Sequence, residues 1–247
     1  MFPIINIGPL AIQSSGFIII LGIWFGISSI EKNCQKFFVS HKNFVTDIYW
    51  ALFSILIFSR IAYIVQYPND FFEQPISIFS PNLALFDPIS GVILGSILLF
   101  ILFKKDKIDI ESAINAMTSG ISLFLIFYFI SLLAKGEYYG ISTTVPWGIV
   151  LWGLTRHPLQ IYYAITSLGI YIWVINSLRN NLTMDLFAKF LVAISIMFIF
   201  LDYYRGDNQN IIGGIHIVQV VGLIVLIISL LKLNLKHKNN STIFNGQ

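Results

Sequence analysis

The sequence has little charge, and that scarcity excludes several classes of protein. Only 11% of its 247 residues are Asp, Glu, Lys or Arg, about half the share found in an ordinary soluble domain. The net charge of +3 is small, and the lysines form no basic face, so no nucleic-acid partner is predicted. The single cysteine, Cys34, excludes an internal disulfide and has no metal-ligating neighbours in the sequence. Neither a metal nor another cofactor is predicted.

Apolar residues are what the sequence has in abundance. They make up 56% of the chain, and the mean hydropathy is +0.79. Seven apolar windows approach or exceed the roughly 20 residues that cross a bilayer as a helix. They cover residues 10–30, 45–66, 88–103, 110–134, 158–176, 184–203 and 211–231. The predicted fold class is therefore all-α: a polytopic integral membrane protein with seven transmembrane helices.

The organisation expected from these windows is simple. We expect a single transmembrane domain over residues 1–236, because no polar stretch is long enough for a second one, and a polar cytoplasmic tail over 237–247. The segment "NLALFDP", which precedes the short third window, is interpreted as an elbow that enters the membrane edge without crossing it.

The distribution of lysine orients the predicted spans. Lysines cluster after the first, third and last windows: Lys32, Lys36, Lys42, Lys104, Lys105, Lys107, Lys232, Lys236 and Lys238. The opposite loops carry few basic residues, so the positive-inside rule puts the N-terminus outside and the C-terminus in the cytoplasm. Cys34 lies within the first lysine cluster and is therefore predicted on the cytoplasmic side.

Arginine has the opposite distribution, except for Arg179, which lies in a predicted inner loop. Arg60, Arg156 and Arg205 are all predicted near the outer face, although Arg60 lies inside the second apolar window. A central arginine costs about 2.5–3.5 kcal/mol, so Arg60 either snorkels to the interface or faces an anion site. Guanidinium groups suit bidentate binding of phosphate, and phospholipid phosphates are the natural anions there. The alternative is that nearby acids hold the arginines and fix the loops. These acids are Glu137, Asp202 and Asp207.

Seven segments follow one another in a characteristic order along the chain. They are "INIGPLAIQSSGFIIILG", "FSRIAYIVQYP", "FDPISGVILGS", "AKGEYYG" with "VPWGIV", "TRHPLQIYYA", "FLDYYRGD" and "HIVQVVGL". In this order they resemble the prolipoprotein diacylglyceryl transferase family over most of the chain. The resemblance implies transfer of a diacylglyceryl group from phosphatidylglycerol to the lipobox cysteine of a secreted prolipoprotein, in the bacterial cytoplasmic (inner) membrane. The products are a thioether and glycerol phosphate, and the implied partners are an anionic phospholipid and the prolipoprotein signal peptide.

The resemblance also implies most of the site residues, and Lys135, His216 and Ser90 are added as residues that stand at departures from the family or could substitute for its missing groups. The phospholipid-binding candidates are Arg60, Arg156, Arg205, Lys135, Gln160, Tyr162, Asp202 and Gln219. The glycines that match the family are Gly91, Gly95, Gly136 and Gly140. The catalytic candidates are Glu137, His216 and Ser90.

The chain departs from the family pattern at several positions. Ser90 stands where the family has a histidine, and Phe129 stands where it has an arginine. Tyr163 stands where the family has a glutamate, and other family residues are replaced by Gln13, Ser15, Leu132 and Lys135. Because histidine titrates near neutral pH, His216 can supply a base, and Lys135 can supply a charge for the phosphate. The alternative for His216 is an interfacial histidine with a backbone partner.

Three interpretations of function remain open. The first is an active but divergent diacylglyceryl transferase. The second is a catalytically silent relative that binds phospholipid or lipoprotein, or serves as a subunit of a membrane complex. The third, an unrelated transporter, is the weakest, because ionisable residues are missing from the span centres. The family function is the best single interpretation, and the replacements at Ser90 and Phe129 predict that the reaction is altered or lost.

Overall fold

Helices dominate the computed structural model, which describes residues 4–7, 10–37, 41–80, 82, 85–207, 211–212 and 215–244. The α-helices in this part of the chain are α1 (Ser14–Asn33), α2 (His41–Gln66), α3 (Pro68–Glu73), α4 (Pro88–Lys105), α5 (Ile110–Lys135), α6 (Leu159–Arg179), α7 (Leu186–Leu201) and α8 (Ile217–Phe244). Short 3-10 helices cover Cys34–Phe37, Pro75–Phe79 and Asp202–Tyr204. The strands are β1 (Ile4–Ile7), β2 (Leu10–Gln13), β3 (Ile149–Leu151), β4 (Leu154–Arg156), β5 (Ile211–Ile212) and β6 (Ile215–His216).

Seven helices within the described residues are long and apolar enough to cross a membrane. The spans are Ser14–Phe37, Asn43–Gln66, Pro88–Lys105, Ile110–Lys135, Leu159–Arg179, Leu186–Tyr204 and Ile217–Lys236. Each matches one apolar window, so the predicted helical, multi-pass membrane protein is confirmed. The first span begins later than its window, because residues 10–13 form strand β2 and pair antiparallel with β1. The backbone of the predicted tail is helical as far as Phe244, and residues 245–247 lie outside the described part.

The chain forms two compact units. The first contains Met1–Lys36 and Asn115–Gln247, and the second contains Phe37–Ile114. The single domain expected over 1–236 stays a prediction. The predicted elbow belongs to the second unit, and residues 83 and 84 of its sequence lie outside the described part; helix α3 and a 3-10 helix precede it.

The second unit depends on close packing between α2 and α4. A Cβ atom added at Gly91 would lie 1.9 Å from Ser59 Oγ and 2.7 Å from the carbonyl oxygen of Ile55. One at Gly95 would lie 2.3 Å from Ile55 Cγ1. Two glycines four residues apart therefore let the helix backbones approach as membrane helices often do. This is the role that the structure gives to two of the predicted glycines.

A tight hairpin in the first unit links α5 to α6. Strands β3 and β4 pair antiparallel, with Ile149 opposite Arg156 and Leu151 opposite Leu154. The two residues between them, Trp152 and Gly153, both have positive φ, of 53° and 78°. This is the combination that a two-residue type I′ turn requires. The hairpin fixes the register of Arg156 just before α6 begins.

Neither terminus is assigned to a side of the membrane by the fold, so the predicted orientation stays a prediction. Its most obvious probe is Cys34, but that side chain is fully buried and its thiol donates a hydrogen bond to the carbonyl oxygen of Glu31 at 3.3 Å. A thiol reagent would label it slowly from either side. An orientation test therefore needs a cysteine introduced at an exposed residue such as Lys107, in a chain without Cys34.

Candidate active site

Backbone hydrogen bonds join three loops of the first unit next to the ends of α5, α6 and α7. The amide of Gly140 donates to the carbonyl oxygen of His157 at 3.2 Å, and the amide of Gly206 donates to that of Tyr139 at 2.8 Å. A Cβ atom at Gly140 would lie 2.6 Å from the carbonyl oxygen of His157. Three segments that are far apart in sequence are thus brought together, and Gly140 is required at their centre.

A cavity of about 490 Å³ opens beside these loops. Its walls are formed by Tyr128, Leu132, Gly136, Glu137, Tyr138, Tyr139, Trp152, Arg205 and Asp207. Gly136, Glu137 and Arg205 were predicted from the sequence as site residues. The cavity therefore brings together the segments "AKGEYYG" and "DYYRGD", which are more than 60 residues apart in the sequence.

Gly136 ends helix α5 and turns the chain so that the residues after it line the cavity. Its φ is +75°, and the amide of Glu137 donates back to the carbonyl oxygen of Leu132 at 3.1 Å. This is the arrangement of a glycine-terminated helix. The carbonyl oxygen of Gly136 accepts a hydrogen bond from Trp152 Nε1 at 3.2 Å. Trp152, whose role was not predicted from the sequence, therefore fixes the hairpin against the end of α5.

Arg205 is held by two carboxylates and one aromatic ring. It forms a bidentate pair with Asp207, in which Nη2 lies 3.0 Å from Oδ2, and its Nη1 lies 3.8 Å from Asp202 Oδ1. The guanidinium carbon lies 3.8 Å from the centre of the Tyr138 ring. Burial lowers the pKa of Arg205, but the bond to Asp207 and its other neighbours raise that pKa above its ordinary value. The expected bidentate orientation by an acid is present, and Arg205 stays charged.

Asp202 is the centre of a buried polar cluster. Its side chain is fully buried, and Oδ1 accepts hydrogen bonds from the hydroxyls of Tyr138 at 2.9 Å and Tyr163 at 3.3 Å. Burial and the nearby Asp202 carboxylate raise the pKa of Tyr138 well above its ordinary value, so this tyrosine stays a hydrogen-bond donor. Asp202 Oδ2 lies 3.8 Å from His216 Nδ1. Neither of these two atoms has a hydrogen-bond partner in the described part of the chain.

Gln219 supports His216 rather than the cavity wall. Its Oε1 accepts a hydrogen bond from the amide of His216 at 3.2 Å, and its Nε2 donates to the carbonyl oxygen of Ile199 at 3.0 Å. Gln219 therefore joins the start of α8 to the end of α7. The backbone partner expected for the His216 ring is not found among the described residues: its amide bonds to the Gln219 side chain, and its ring Nδ1 faces Asp202 without a hydrogen bond.

Arg156 differs from Arg205 in having no carboxylate contact among the described residues. Its Nε donates to the carbonyl oxygen of Leu151 at 3.3 Å and its Nη1 to that of Gly140 at 3.4 Å. Its guanidinium carbon lies 4.6 Å from the centre of the Tyr139 ring, which is itself part of the cavity wall. Arg156 thus brings an uncompensated positive charge next to the cavity.

A hydrogen-bonded chain of aromatic residues lies beside Arg156. The hydroxyl of Tyr162 accepts from Trp147 Nε1 at 2.7 Å and lies 3.2 Å from His157 Nδ1. The predicted residue Tyr162 is therefore placed by His157 and Trp147. Trp147 is part of the "VPWGIV" segment, but its partner cannot be read from the spacing.

Gln160 and Lys135 both contact Glu137. The Nε2 of Gln160 donates to the backbone carbonyl oxygen of Glu137, while its Oε1 is buried and has no hydrogen-bond partner within the described ranges. The side chain of Glu137 is 62% exposed, and its Oε2 lies 3.7 Å from Lys135 Nζ. Gln160 fixes the backbone of Glu137, and the carboxylate stays accessible from the cavity.

Two departures from the family pattern contact each other. Phe129 and Tyr163 are both buried, and their rings stack with centroids 4.5 Å apart and planes inclined by 10°. The family pattern has an arginine and a glutamate at these two positions. An aromatic stack therefore occupies the place of a pair of opposite charges, and the two replacements are physically coupled.

Arg60 belongs to the second unit, where it has a different kind of environment. Its Nε donates to the carbonyl oxygen of Ile78 at 3.1 Å and its Nη1 to that of Leu85 at 2.7 Å, and Nη2 donates to the carbonyl oxygen of Ser77. The rings of Phe71 and Phe86 lie 5.4 and 5.1 Å from its guanidinium carbon. Arg60 thus ties the segment after α2 to that helix.

Ser90, also in the second unit, takes part in capping α4. Its hydroxyl donates to Asp87 Oδ2 at 2.5 Å, and Asp87 Oδ1 accepts from the amide of Ile89 at 3.2 Å. Gln66 Nε2 donates to the same carboxylate at 2.9 Å. Hydrogen bonds from Ser90 and then Gln66 lower the pKa of Asp87. Ser90 thus acts as a capping partner here, and its catalytic role stays a prediction.

The fold and the cavity define a multi-pass membrane protein with a polar, aromatic-walled site on loops at the ends of its spans. The family model of prolipoprotein diacylglyceryl transferase matches residues 3–234. The chain therefore belongs to the prolipoprotein diacylglyceryl transferase family, as the order of its motifs predicted.

Individual relatives agree with this assignment. The chain is 27% identical over 221 residues to a phosphatidylglycerol–prolipoprotein diacylglyceryl transferase of Aliarcobacter butzleri, with 83% of this chain and 81% of the relative covered. It is 27% identical over 261 residues to the one of Wolbachia pipientis wMel, covering 96% and 97%. It is 28% identical over 238 residues to the one of Campylobacter jejuni, covering 84% and 87%.

Proposed function

We propose that this chain transfers a diacylglyceryl group from phosphatidylglycerol to the cysteine thiol of a prolipoprotein, in the bacterial cytoplasmic (inner) membrane. The names of its relatives supply the two substrates. The observation that carries the proposal is the cavity that brings Glu137 and Arg205 together beside Arg156. Phosphatidylglycerol and the acceptor's signal peptide are the proposed partners.

The chemistry needs a base and a positive charge. The acceptor thiol loses its proton, its sulfur bonds to the terminal glyceryl carbon, and the bond from that carbon to the phosphate oxygen breaks. The electron pair stays on the departing glycerol phosphate, which gains one negative charge. A thiol with a pKa of about 8.5 is mostly protonated at neutral pH, so a base speeds the step. A cation near the phosphate stabilises the charge as it develops.

Arg156 is the residue that we propose for the phosphate. Its guanidinium contacts two carbonyl oxygens and an aromatic ring, and none of these neutralises its charge. Arg205, by contrast, shares its environment with Asp202 and Asp207, so this group of three side chains carries a net charge of about −1. Electrostatics therefore favours Arg156 for the anion and gives Arg205 the role of holding the loop. Convergence of Arg60, Arg156 and Arg205 on one headgroup stays a prediction.

Glu137 is the base that we propose for the thiol proton. Its carboxylate is accessible and belongs to a residue of the cavity wall, and Lys135 Nζ lies 3.7 Å from Glu137 Oε2, close enough to contact a phosphate at the same place. His216 is the second choice, because its ring reaches the cavity only through Asp202 and Tyr138. Glu137→Gln should abolish transfer if the first assignment is right, and His216→Gln should abolish it if the second is.

One observation favours a second candidate function, a silent lipid-binding relative. The stacked rings of Phe129 and Tyr163 occupy the positions where the family has charged residues, and neither ring can hold a phosphate by ion pairing. Such a protein would bind phospholipid or lipoprotein without transfer, alone or within a membrane complex.

The test uses cells depleted of their own transferase. Expression of the full chain should restore lipoprotein modification, seen as a mobility shift of a tagged lipoprotein, and Arg156→Gln or Glu137→Gln should remove that restoration. Lys107→Gln, an exposed residue in the loop after α4, is the matched control. Phosphatidylglycerol binding without restoration would establish the silent relative, and absence of both binding and restoration would overturn the proposal.

A further inference from the structure

A second cavity, of about 430 Å³, lies within the second unit. It is formed by the beginning of α2 and the end of α4, and it is lined by Thr46, Asp47, Trp50, Leu98, Leu102, Lys105 and Asp106. None of these residues belongs to the proposed transfer site. Asp47 is near the start of the span Asn43–Gln66, and Lys105 ends the span Pro88–Lys105. The cavity therefore lies at the level where two membrane-spanning helices meet the headgroup region.

Asp47 gives this cavity its chemical character. Its side chain is only 5% exposed, and its Oδ2 has no hydrogen-bond partner among the described residues. A buried carboxylate oxygen without a donor is uncommon, because leaving it unpaired is costly. The position of Asp47 in the wall indicates that the cavity suits a ligand with a strong hydrogen-bond donor.

The charged groups around Asp47 indicate the kind of ligand that the cavity suits: one with a cationic group and an anionic group close to it. The two carboxylates of Asp47 and Asp106 outweigh the single ammonium of Lys105, so the cavity has a net charge of about −1. The exposed indole of Trp50 adds a surface that attracts cations. A metal ion is the poorer fit, since the described residues contain no group of three His, Cys, Asp or Glu side chains able to hold one.

The remaining wall residues indicate where the rest of the ligand lies. Lys105 can contact a phosphate through its ammonium group, which acts as a compact point charge. Leu98 and Leu102 supply an apolar wall of the kind that an acyl chain contacts. An ammonium and a phosphate at adjacent sites, next to an apolar helix face, match the headgroup of an aminophospholipid. A phosphatidylglycerol headgroup fits less well, because it has no ammonium to place next to the two carboxylates.

We propose that this cavity binds the phosphoethanolamine headgroup of an aminophospholipid. The ammonium pairs with the carboxylates of Asp47 and Asp106 beside Trp50, and the phosphate contacts Lys105. This site is separate in its residues and its ligand from the proposed transfer reaction, so it does not depend on that proposal.

The test measures lipid binding to the full chain purified in detergent. Native mass spectrometry would compare short-chain phosphatidylethanolamine with short-chain phosphatidylglycerol. Asp47→Asn keeps the shape of the side chain and should weaken phosphatidylethanolamine binding about 10- to 150-fold, the effect of losing one charge-assisted hydrogen bond. Asp70→Asn, the same change at an exposed residue of the same unit, should leave binding unchanged.

Two further measurements keep the outcome decisive. Lys105→Gln alters an exposed side chain, so it should not affect folding, and it should weaken phosphatidylethanolamine binding while leaving free ethanolamine binding unchanged. Equal binding of free ethanolamine and the lipid would show a soluble amine as the ligand and overturn the proposal. Unchanged lipid binding by both variants, or a preference of the wild type for phosphatidylglycerol that both variants retain, would also overturn it.

Discussion

The side chains of Arg60 in the second unit and Arg205 in the first are both largely shielded from solvent, but different groups satisfy them. Arg60 donates to three backbone carbonyl oxygens and lies between two phenylalanine rings. Arg205 is paired with two carboxylates and lies over a tyrosine ring. Carbonyl dipoles leave the full positive charge of a guanidinium in place, whereas two carboxylates more than neutralise it. A buried arginine in this protein can therefore hold a loop in either way, and burial alone does not identify an anion site.

The largest effect should come from removing the central carboxylate of the Arg205 cluster. Asp202→Ala leaves the hydroxyls of Tyr138 and Tyr163 without their acceptor, at about 1–3 kcal/mol each, so we expect a loss of about 2–6 kcal/mol in the free energy of unfolding, while Arg205 keeps its pair with Asp207. Asp202→Asn keeps an acceptor for Tyr138 and should lose less. Thermal unfolding of both variants in detergent provides the measurement. A loss below about 1 kcal/mol for Asp202→Ala would mean that the cluster contributes little to stability.

The next largest effect should come from the aromatic stack. A substitution there adds a buried charge at a position that is occupied by neither Arg60 nor Arg205. Phe129→Arg buries a guanidinium against Tyr163 and should cost about 3 kcal/mol or more. Phe129→Arg combined with Tyr163→Glu restores opposite charges and should recover a large part of that loss.

A double-mutant cycle of thermal stability measures this coupling between the two positions. If the two single losses simply add, the replacements are independent despite the contact. Lipoprotein modification by the double variant then reports whether the charges also improve transfer.

Substitution of Arg60 should mainly lower stability, whereas substitution of Arg156 should mainly weaken lipid binding. Arg60→Gln removes hydrogen bonds to carbonyl oxygens and should cost about 1.5–3 kcal/mol of stability, with phosphatidylglycerol binding kept. Arg156→Gln should change stability less and weaken phosphatidylglycerol binding about 10- to 150-fold. Unfolding and lipid-binding measurements on both variants decide between these roles. Weaker lipid binding by Arg60→Gln at unchanged stability would instead favour a shared headgroup site.

The smallest effect concerns a half-buried carboxylate, Asp87, which contrasts with the fully buried Asp202. Hydrogen bonds lower the pKa of Asp87 in the folded state, so its contribution to stability is present above the unfolded value of about 4 and is lost as the pH falls through the folded pKa. The difference in melting temperature between wild type and Asp87→Asn should therefore shrink below about pH 4. A difference that stays constant from pH 6 to pH 3 would contradict this linkage.

The sequence by itself determined the seven spans, the family and the identity of several cavity residues. A span depends on a run of apolar residues, and the free energy of moving that run into a bilayer is nearly independent of its neighbours. The motifs could be recognised because the segments that contain Gly136, Glu137 and Arg205 follow one another in the same order as in the family. The bounds of the helices were also close, apart from the first and the last, where strand pairs occupy the beginning of the window and the last helix continues to Phe244.

Only the tertiary structure decided which groups each charged or buried side chain contacts. Nothing in the spacing of the sequence indicates that Arg60 contacts backbone carbonyls, that Phe129 stacks on Tyr163, or that Asp47 lines a cavity. Trp152 and its bond to Gly136 were missed for the same reason. The partner of a buried polar group is set by the long-range packing of the helices and the loops that join them, because electrostatic and hydrogen-bond energies depend on distances of a few ångströms.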